Sequence, residues 1–214
     1  MSAALEELAK PVIIGRSSSH FTRITRIFAA EMRVDYSFRV VRDLMSPNPE
    51  DYGGNPALRI PSLQTPQGVW FGSLNVCREL WRRSNPRPRV VWPEELDKPL
   101  LANAQELVSQ AMATEVTIIM EKVAGAGDSN AHQAKLRKGL LNMMAWLEEN
   151  TRPALAALPP QRDLSYLEVS LFCLVKHLEF REVLPTASYA ELNQFCQQFA
   201  TRPSASETPF RFDT

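Results

Sequence analysis

Three short stretches carry the groups most able to hold a small ligand. Ser17, Ser18 and Ser19 follow a glycine that closes an apolar run. Asn55-Pro-Ala-Leu-Arg-Ile-Pro61 ends in an X-Pro pair between two apolar, strand-like runs. Cis peptides are close to a proline phenomenon. A cis Ile60-Pro61 bond would turn the Ile60 N–H and C=O out of the sheet, where they could hold a peptide-like ligand as an added strand. Gly72-Ser73 stands before the run Leu74, Val76, Cys77, Leu80. A serine there offers its hydroxyl and a free helix N-terminal N–H to a carboxylate. Together these features outline a site for a small acidic peptide.

The elements that must position these groups are legible as patterns. Pro11-Val-Ile-Ile-Gly15 reads as a short buried strand ended by glycine. The serines cap a helix with Phe21, Ile24, Ile27 and Phe28 on one face and Arg23 and Arg26 on the other. His20, in its first turn, is expected to be exposed. Asp35 to Val41 alternates as a strand, and 46–54 is a Pro- and Gly-rich loop with one irregular turn. Ile60–Leu63 and Val69–Phe71 form a hairpin about Thr65-Pro-Gln-Gly68. Leu74 to Arg83 closes the unit as a helix, giving the order β-α-β-(loop or α)-β-β-α.

Beyond the linker no strand pattern persists. A long helical stretch spans Pro93 to Val123, its apolar face traced by Leu96, Leu100, Ala104, Leu107, Ala111 and Val116. Ala124 to Asp128 breaks it, and a second helix runs from about Asn130 to Thr151. Ser165-x-x-Glu168 is a capping-box pattern opening a helix through His177, and a last helix covers about Tyr189 to Phe199. The expected domains are an α/β unit over 10–84, a linker over 85–92 and an all-α unit over 93–214.

Composition narrows the classes of function. The 214 residues hold 24 Lys and Arg against 24 Asp and Glu, so no general attraction to nucleic acid or acidic membranes is expected. No apolar run reaches the roughly 18 residues of a membrane span, and Met1 to Lys10 lacks the apolar core of a signal peptide. Cys77, Cys173 and Cys196 are widely spaced in apolar patterns, as free thiols in a reducing cytoplasm would be. No His or Cys spacing points to a metal site. His177, in an apolar helix, reads as structural.

In order and spacing, the chain resembles the cytosolic glutathione S-transferase superfamily, of the bacterial, serine-containing type. The resemblance rests on Gly15-Arg-Ser-Ser-Ser-His-Phe-Thr-Arg-Ile-Thr-Arg26, on Asn55-Pro-Ala-Leu-Arg-Ile-Pro61, on Phe71-Gly-Ser73 where the family usually has Glu-Ser or Asp-Ser, and on Ser165-x-x-Glu168. It implies a thioredoxin-like N-terminal domain, an all-helical C-terminal bundle, a cytoplasmic homodimer and glutathione as co-substrate without a metal.

The resemblance also implies roles. Only the thiolate of glutathione is a good nucleophile, and a hydroxyl beside a helix N-terminus lowers a thiol's pKa. Ser19 is the implied donor, with Ser17 and Ser18 as alternatives because three consecutive serines blur the register. Arg59, Ile60, Pro61, Gly72 and Ser73 would bind the tripeptide: Arg59 its glycine carboxylate, the Ile60 backbone its cysteinyl part, Ser73 its γ-glutamyl carboxylate. Gly72 supplies only backbone where the family has an acid. The implied activity is conjugation of glutathione to small, apolar electrophiles, as in detoxification. The alternative is a non-catalytic relative that acts as a stress-related or regulatory protein-interaction module.

Overall fold

Ile13 and Ile14 have no exposed surface, and the strand that carries them lies inside a four-stranded sheet. A computed structural model of the chain describes residues 10–123, 125 and 131–213. The reading of Met1 to Lys10 as lacking a signal-peptide core lies outside these but for Lys10, as does the break over Ala124 to Asp128 but for Gly125. The described residues divide into two units, one of Met1–Pro88 with Arg202–Thr214 and one of Arg89–Thr201. The first unit thus regains a segment that the sequence reading gave to the helical domain.

The first unit holds β1 (Val12–Gly15), α1 (His20–Glu31), β2 (Ser37–Val40), a 3-10 turn (Pro49–Tyr52), β3 (Ser62–Thr65), β4 (Gly68–Phe71) and α2 (Ser73–Arg83). The sheet order is β2-β1-β3-β4. β1 is parallel to β2, with Gly15 opposite Val40. It is antiparallel to β3, with Ile14 opposite Ser62. β3 and β4 form the expected hairpin, with Thr65 opposite Gly68 across a two-residue loop. This mixed sheet with its helices is a thioredoxin-like domain. Gly15 is needed where it stands: a Cβ there would lie 2.4 Å from the Thr22 hydroxyl oxygen. Ile14, Val41 and Tyr52 form a small core on the sheet. Burial, with Asp43 and Asp51 adding, pushes the Tyr52 phenol above its usual range, and the hydroxyl donates to the Ser46 carbonyl at 3.0 Å.

One expectation on α1 is corrected. Arg23, read as lying on the face opposite the apolar residues, is itself buried. Its Nη2 donates to the Ala205 carbonyl at 3.2 Å, and its guanidinium lies 4.4 Å from the centre of the Phe210 ring. The returning segment, which includes the one-turn helix α7 (Pro203–Ser206), is what covers it.

The second unit is helical, with α3 (Pro99–Val123), α4 (Ala131–Ala157), α5 (Tyr166–Phe180) and α6 (Ala190–Phe199). It departs from an all-α reading in a two-residue pairing of β5 (Val90–Val91) with β6 (Leu164–Ser165), which draws the end of the expected linker into this unit. The buried face of α3 runs through Leu101, Ala104, Val108, Ala111, Met112 and Ile118 and includes Glu115. The sequence reading had placed Val116 on it, yet Val116 is exposed. Glu115 is drawn inward by His177 on α5, whose Nδ1 lies 2.7 Å from its carboxylate. His177 is thus buried beside a buried carboxylate. Ser165 caps α5 through the Glu168 N–H. All three cysteines are buried and free. Among the described residues no helix is long and apolar enough to cross a membrane.

Candidate functional site

The register of the sheet brings the three candidate stretches to one end of the first unit. β1 runs out of the sheet at Gly15 into the serine loop. β3 enters at Ser62, opposite Ile14, so Pro61 lies beside that exit. β4 leaves at Phe71, opposite Ser62, and leads directly into Ser73.

The three serines differ in what they do. Ser19 is the N-cap of α1, its side chain accepting the Thr22 N–H at 3.3 Å. A capping hydroxyl still has its own hydrogen to donate. Ser17 is 2% exposed. Its hydroxyl accepts from Arg26 Nη1 at 3.4 Å, and its N–H donates to Asp213 Oδ2 at 2.7 Å. Ser18 is buried between them. His20 was expected to be exposed, and it is buried, its ring 4.4 Å from that of Phe21 in an edge-on arrangement.

The Ile60-Pro61 bond is cis. Ile60 lies outside the ladder, which begins at Ser62. Its N–H and C=O have no hydrogen-bond partner among the described residues. The loop that presents it is held by Asn55, whose amide nitrogen donates to the Arg59 carbonyl at 2.8 Å. The Asn55 side-chain oxygen accepts the Ala57 N–H at 3.0 Å. Asn55 is buried while Arg59 is exposed, so the loop has a fixed base and an exposed cation at its rim. Ser62 anchors the other side, its hydroxyl donating to the Tyr52 carbonyl at 2.7 Å.

Gly72 is the N-cap of α2, with φ 80° and ψ 148°. Only glycine adopts this conformation without strain, so the missing acid has a backbone cause. Gly72 donates its N–H to the Pro61 carbonyl at 3.0 Å. Ser73, the first helical residue, is buried. With no side-chain cap on α2, the helix start can meet an anion with N–H groups and the Ser73 hydroxyl.

Two contributors were not singled out from sequence. Asn55 had a signal: Asn-Pro favours a side-chain turn onto the backbone two residues on. Asp213 had none, since it lies 196 residues from Ser17.

Residues 18–83 match the family of glutathione S-transferase N-terminal domains. No curated protein matches the chain. Among solved structures, a glutathione transferase family member from Pseudomonas fluorescens with bound glutathione aligns with a TM-score of 0.76 at 18% identity, covering 94% of this chain and 100% of that one. A glutathione S-transferase from Methylobacillus flagellatus with GSH bound gives a TM-score of 0.72 at 18% identity, over 94% and 99%. The Tau class enzyme from mango, Mangifera indica, gives 0.68 at 17% identity, over 93% and 92%. At these identities the likeness is one of fold.

Proposed function

We propose that the chain, whose residues 18–83 match the glutathione S-transferase N-terminal domain family and whose fold is shared with glutathione transferases, joins the thiol of reduced glutathione to small, apolar electrophiles. The observation that carries the reading is the hydrogen bond from Gly72 to Pro61. It ties the unpaired backbone of Ile60 to the start of α2, at the sheet end where the serine loop emerges.

In this reading glutathione lies along β3 as a short added strand, its cysteinyl part against the Ile60 N–H and C=O. The γ-glutamyl carboxylate meets Ser73 and the first N–H groups of α2. Arg59 faces the glycine carboxylate. The thiol meets the Ser19 hydroxyl at the N-terminus of α1, with Ser17 and Ser18 as the alternative donors. A free thiol ionises near about pH 8.5. A hydroxyl donor and the positive end of a helix stabilise the ionised form, so more of the bound thiol is nucleophilic at neutral pH. The thiolate sulfur then attacks the electrophilic carbon, and the displaced group leaves with the electron pair.

The same reading makes the protein a cytoplasmic homodimer with a role in detoxification. Three buried free thiols suit a reducing compartment. Sedimentation of the purified protein tests the dimer.

A second reading, a non-catalytic interaction module on the same fold, draws on Gly72. The γ-glutamyl end there meets backbone and Ser73 alone, without a carboxylate from this position. Calorimetric titration with reduced glutathione separates the two. Saturable binding at or below millimolar affinity supports the enzyme. Absence of binding removes it in favour of the module.

A further inference from the structure

The segment that follows α6 returns along α1 and ends on the serine loop. Arg202 begins it, its guanidinium on the carboxylate of Glu31, the last residue of α1, at 2.8 and 2.9 Å. Ser204 donates to the same carboxylate at 2.5 Å. Midway, Arg23 donates to the Ala205 carbonyl at 3.2 Å and lies against the Phe210 ring. At the loop before α1, Asp213 Oδ2 accepts the Ser17 N–H at 2.7 Å. These anchors descend the helix from its last turn to the loop before its first. Asp213 is held, not trailing: its side chain is 7% exposed. All of them lie within the first unit.

We propose that Asp213 is a specificity-determining residue of the serine loop, disfavouring a thiolate there and favouring a neutral sulfur. The inference rests on the glutathione reading above. The chemistry is direct. A main-chain N–H at a loop leading into a helix is a natural donor to an anion, and at Ser17 that donor is already taken by a carboxylate. A second negative charge brought to the same loop meets both a lost donor and a like charge, which raises the pKa of the incoming thiol. Arg16 and Arg26 flank the loop, and Arg211 Nε lies 3.9 Å from the other Asp213 oxygen. They moderate the charge of the loop but do not return the Ser17 N–H. Ser19 and Asp213 thus act in opposite directions on one thiol.

The test compares the full chain with Asp213→Asn and with Phe210→Ala, which loosens the segment but leaves the carboxylate in place. Each is titrated with reduced glutathione and with S-methylglutathione, which cannot ionise at sulfur. The thiolate absorbance of bound glutathione is followed against pH. Asp213→Asn should tighten reduced glutathione about three- to tenfold at pH 8 relative to S-methylglutathione and lower the thiol pKa, by up to about one unit for the tenfold case. Phe210→Ala should move both in the same direction by less. An unchanged affinity ratio and titration curve, in a variant whose circular dichroism matches the parent, overturns the proposal.

Amide exchange at Ser17 separates this from failure of the glutathione reading. If no form binds glutathione, that reading falls and the thiol preference falls with it. Exchange at Ser17 at least tenfold faster in Asp213→Ala, which removes the acceptor, would then still establish the contact. If glutathione binds but Ser17 exchange is unaltered in Asp213→Ala, the glutathione reading stands and the Asp213 proposal is overturned.

Discussion

Gly72 donates its N–H to the carbonyl of Pro61 at 3.0 Å, so the cis-proline loop and the first turn of α2 are joined by a bond that bypasses the hairpin between them. The cost of this geometry is that position 72 has φ 80° and ψ 148°. A Cβ there would meet nothing within 4 Å, so space is not the constraint; the backbone angle is. Restoring an acid by Gly72→Asp should lower stability by about 1–3 kcal/mol and weaken glutathione binding as the Pro61 bond distorts. Urea unfolding and calorimetry measure the two. A variant as stable as the parent that also binds glutathione more tightly would show that only a side chain was missing.

Asn55 holds the loop that carries Arg59 and Ile60, and it does so with a buried amide. Asn55→Ala leaves the Arg59 carbonyl and the Ala57 N–H without their partner. The expected loss is about 1–3 kcal/mol, with glutathione affinity falling as Ile60 loses its fixed orientation. Asn55→Asp keeps the acceptor for Ala57 and loses the donor to Arg59, so it should fall between parent and alanine in both measurements. Equal affinity in all three proteins would separate Asn55 from the site.

Local devices were the legible part of this chain. The hairpin, the cap at Ser165 and the turn from Phe71 into Ser73 each depend on neighbours within a few residues, and their residue types announce them. What sequence misplaced depends on distant partners. Arg23 was read as lying on the face opposite the apolar residues of α1, yet Ala205 and Phe210 fold over it. Glu115 broke the apolar face drawn along α3 for the same reason, and its partner His177 lies 62 residues away. β5 and β6 are two residues long, too short to show a period. Gly72 was legible as a departure, but its cause is a dihedral angle that no residue type discloses. The proposed electrophile is not legible, since a permissive apolar pocket would carry no motif.

Ser19 has one observed role and one proposed, and glycine distinguishes them. As N-cap it accepts the Thr22 N–H; as proposed donor it stabilises a thiolate. Ser19→Ala should lose about 0.5–2 kcal/mol of stability, whereas Ser19→Gly should lose only a few tenths. Both variants lack the hydroxyl, so both should raise the pKa of bound glutathione, read from thiolate absorbance against pH. A titration curve unmoved by either change would leave Ser19 as a cap and pass the donor role to Ser17 or Ser18.

Ser165 is the last case, and here the local reading can be measured without any ligand. It has no exposed surface. Its hydroxyl accepts the Glu168 N–H at 3.0 Å and donates to Glu168 Oε2 at 2.7 Å. Arg162 closes the motif on the Glu168 carboxylate at 2.9 and 2.6 Å. Ser165→Ala removes both the cap and a partner of the carboxylate, and should lower stability by about 0.5–2 kcal/mol. Arg162→Gln removes a pair with more access to water and should cost less, about 0.2–1 kcal/mol. The order of the two urea midpoints is the decisive reading. If Arg162→Gln proves the more damaging, the start of α5 is held by its ion pair and the serine is secondary.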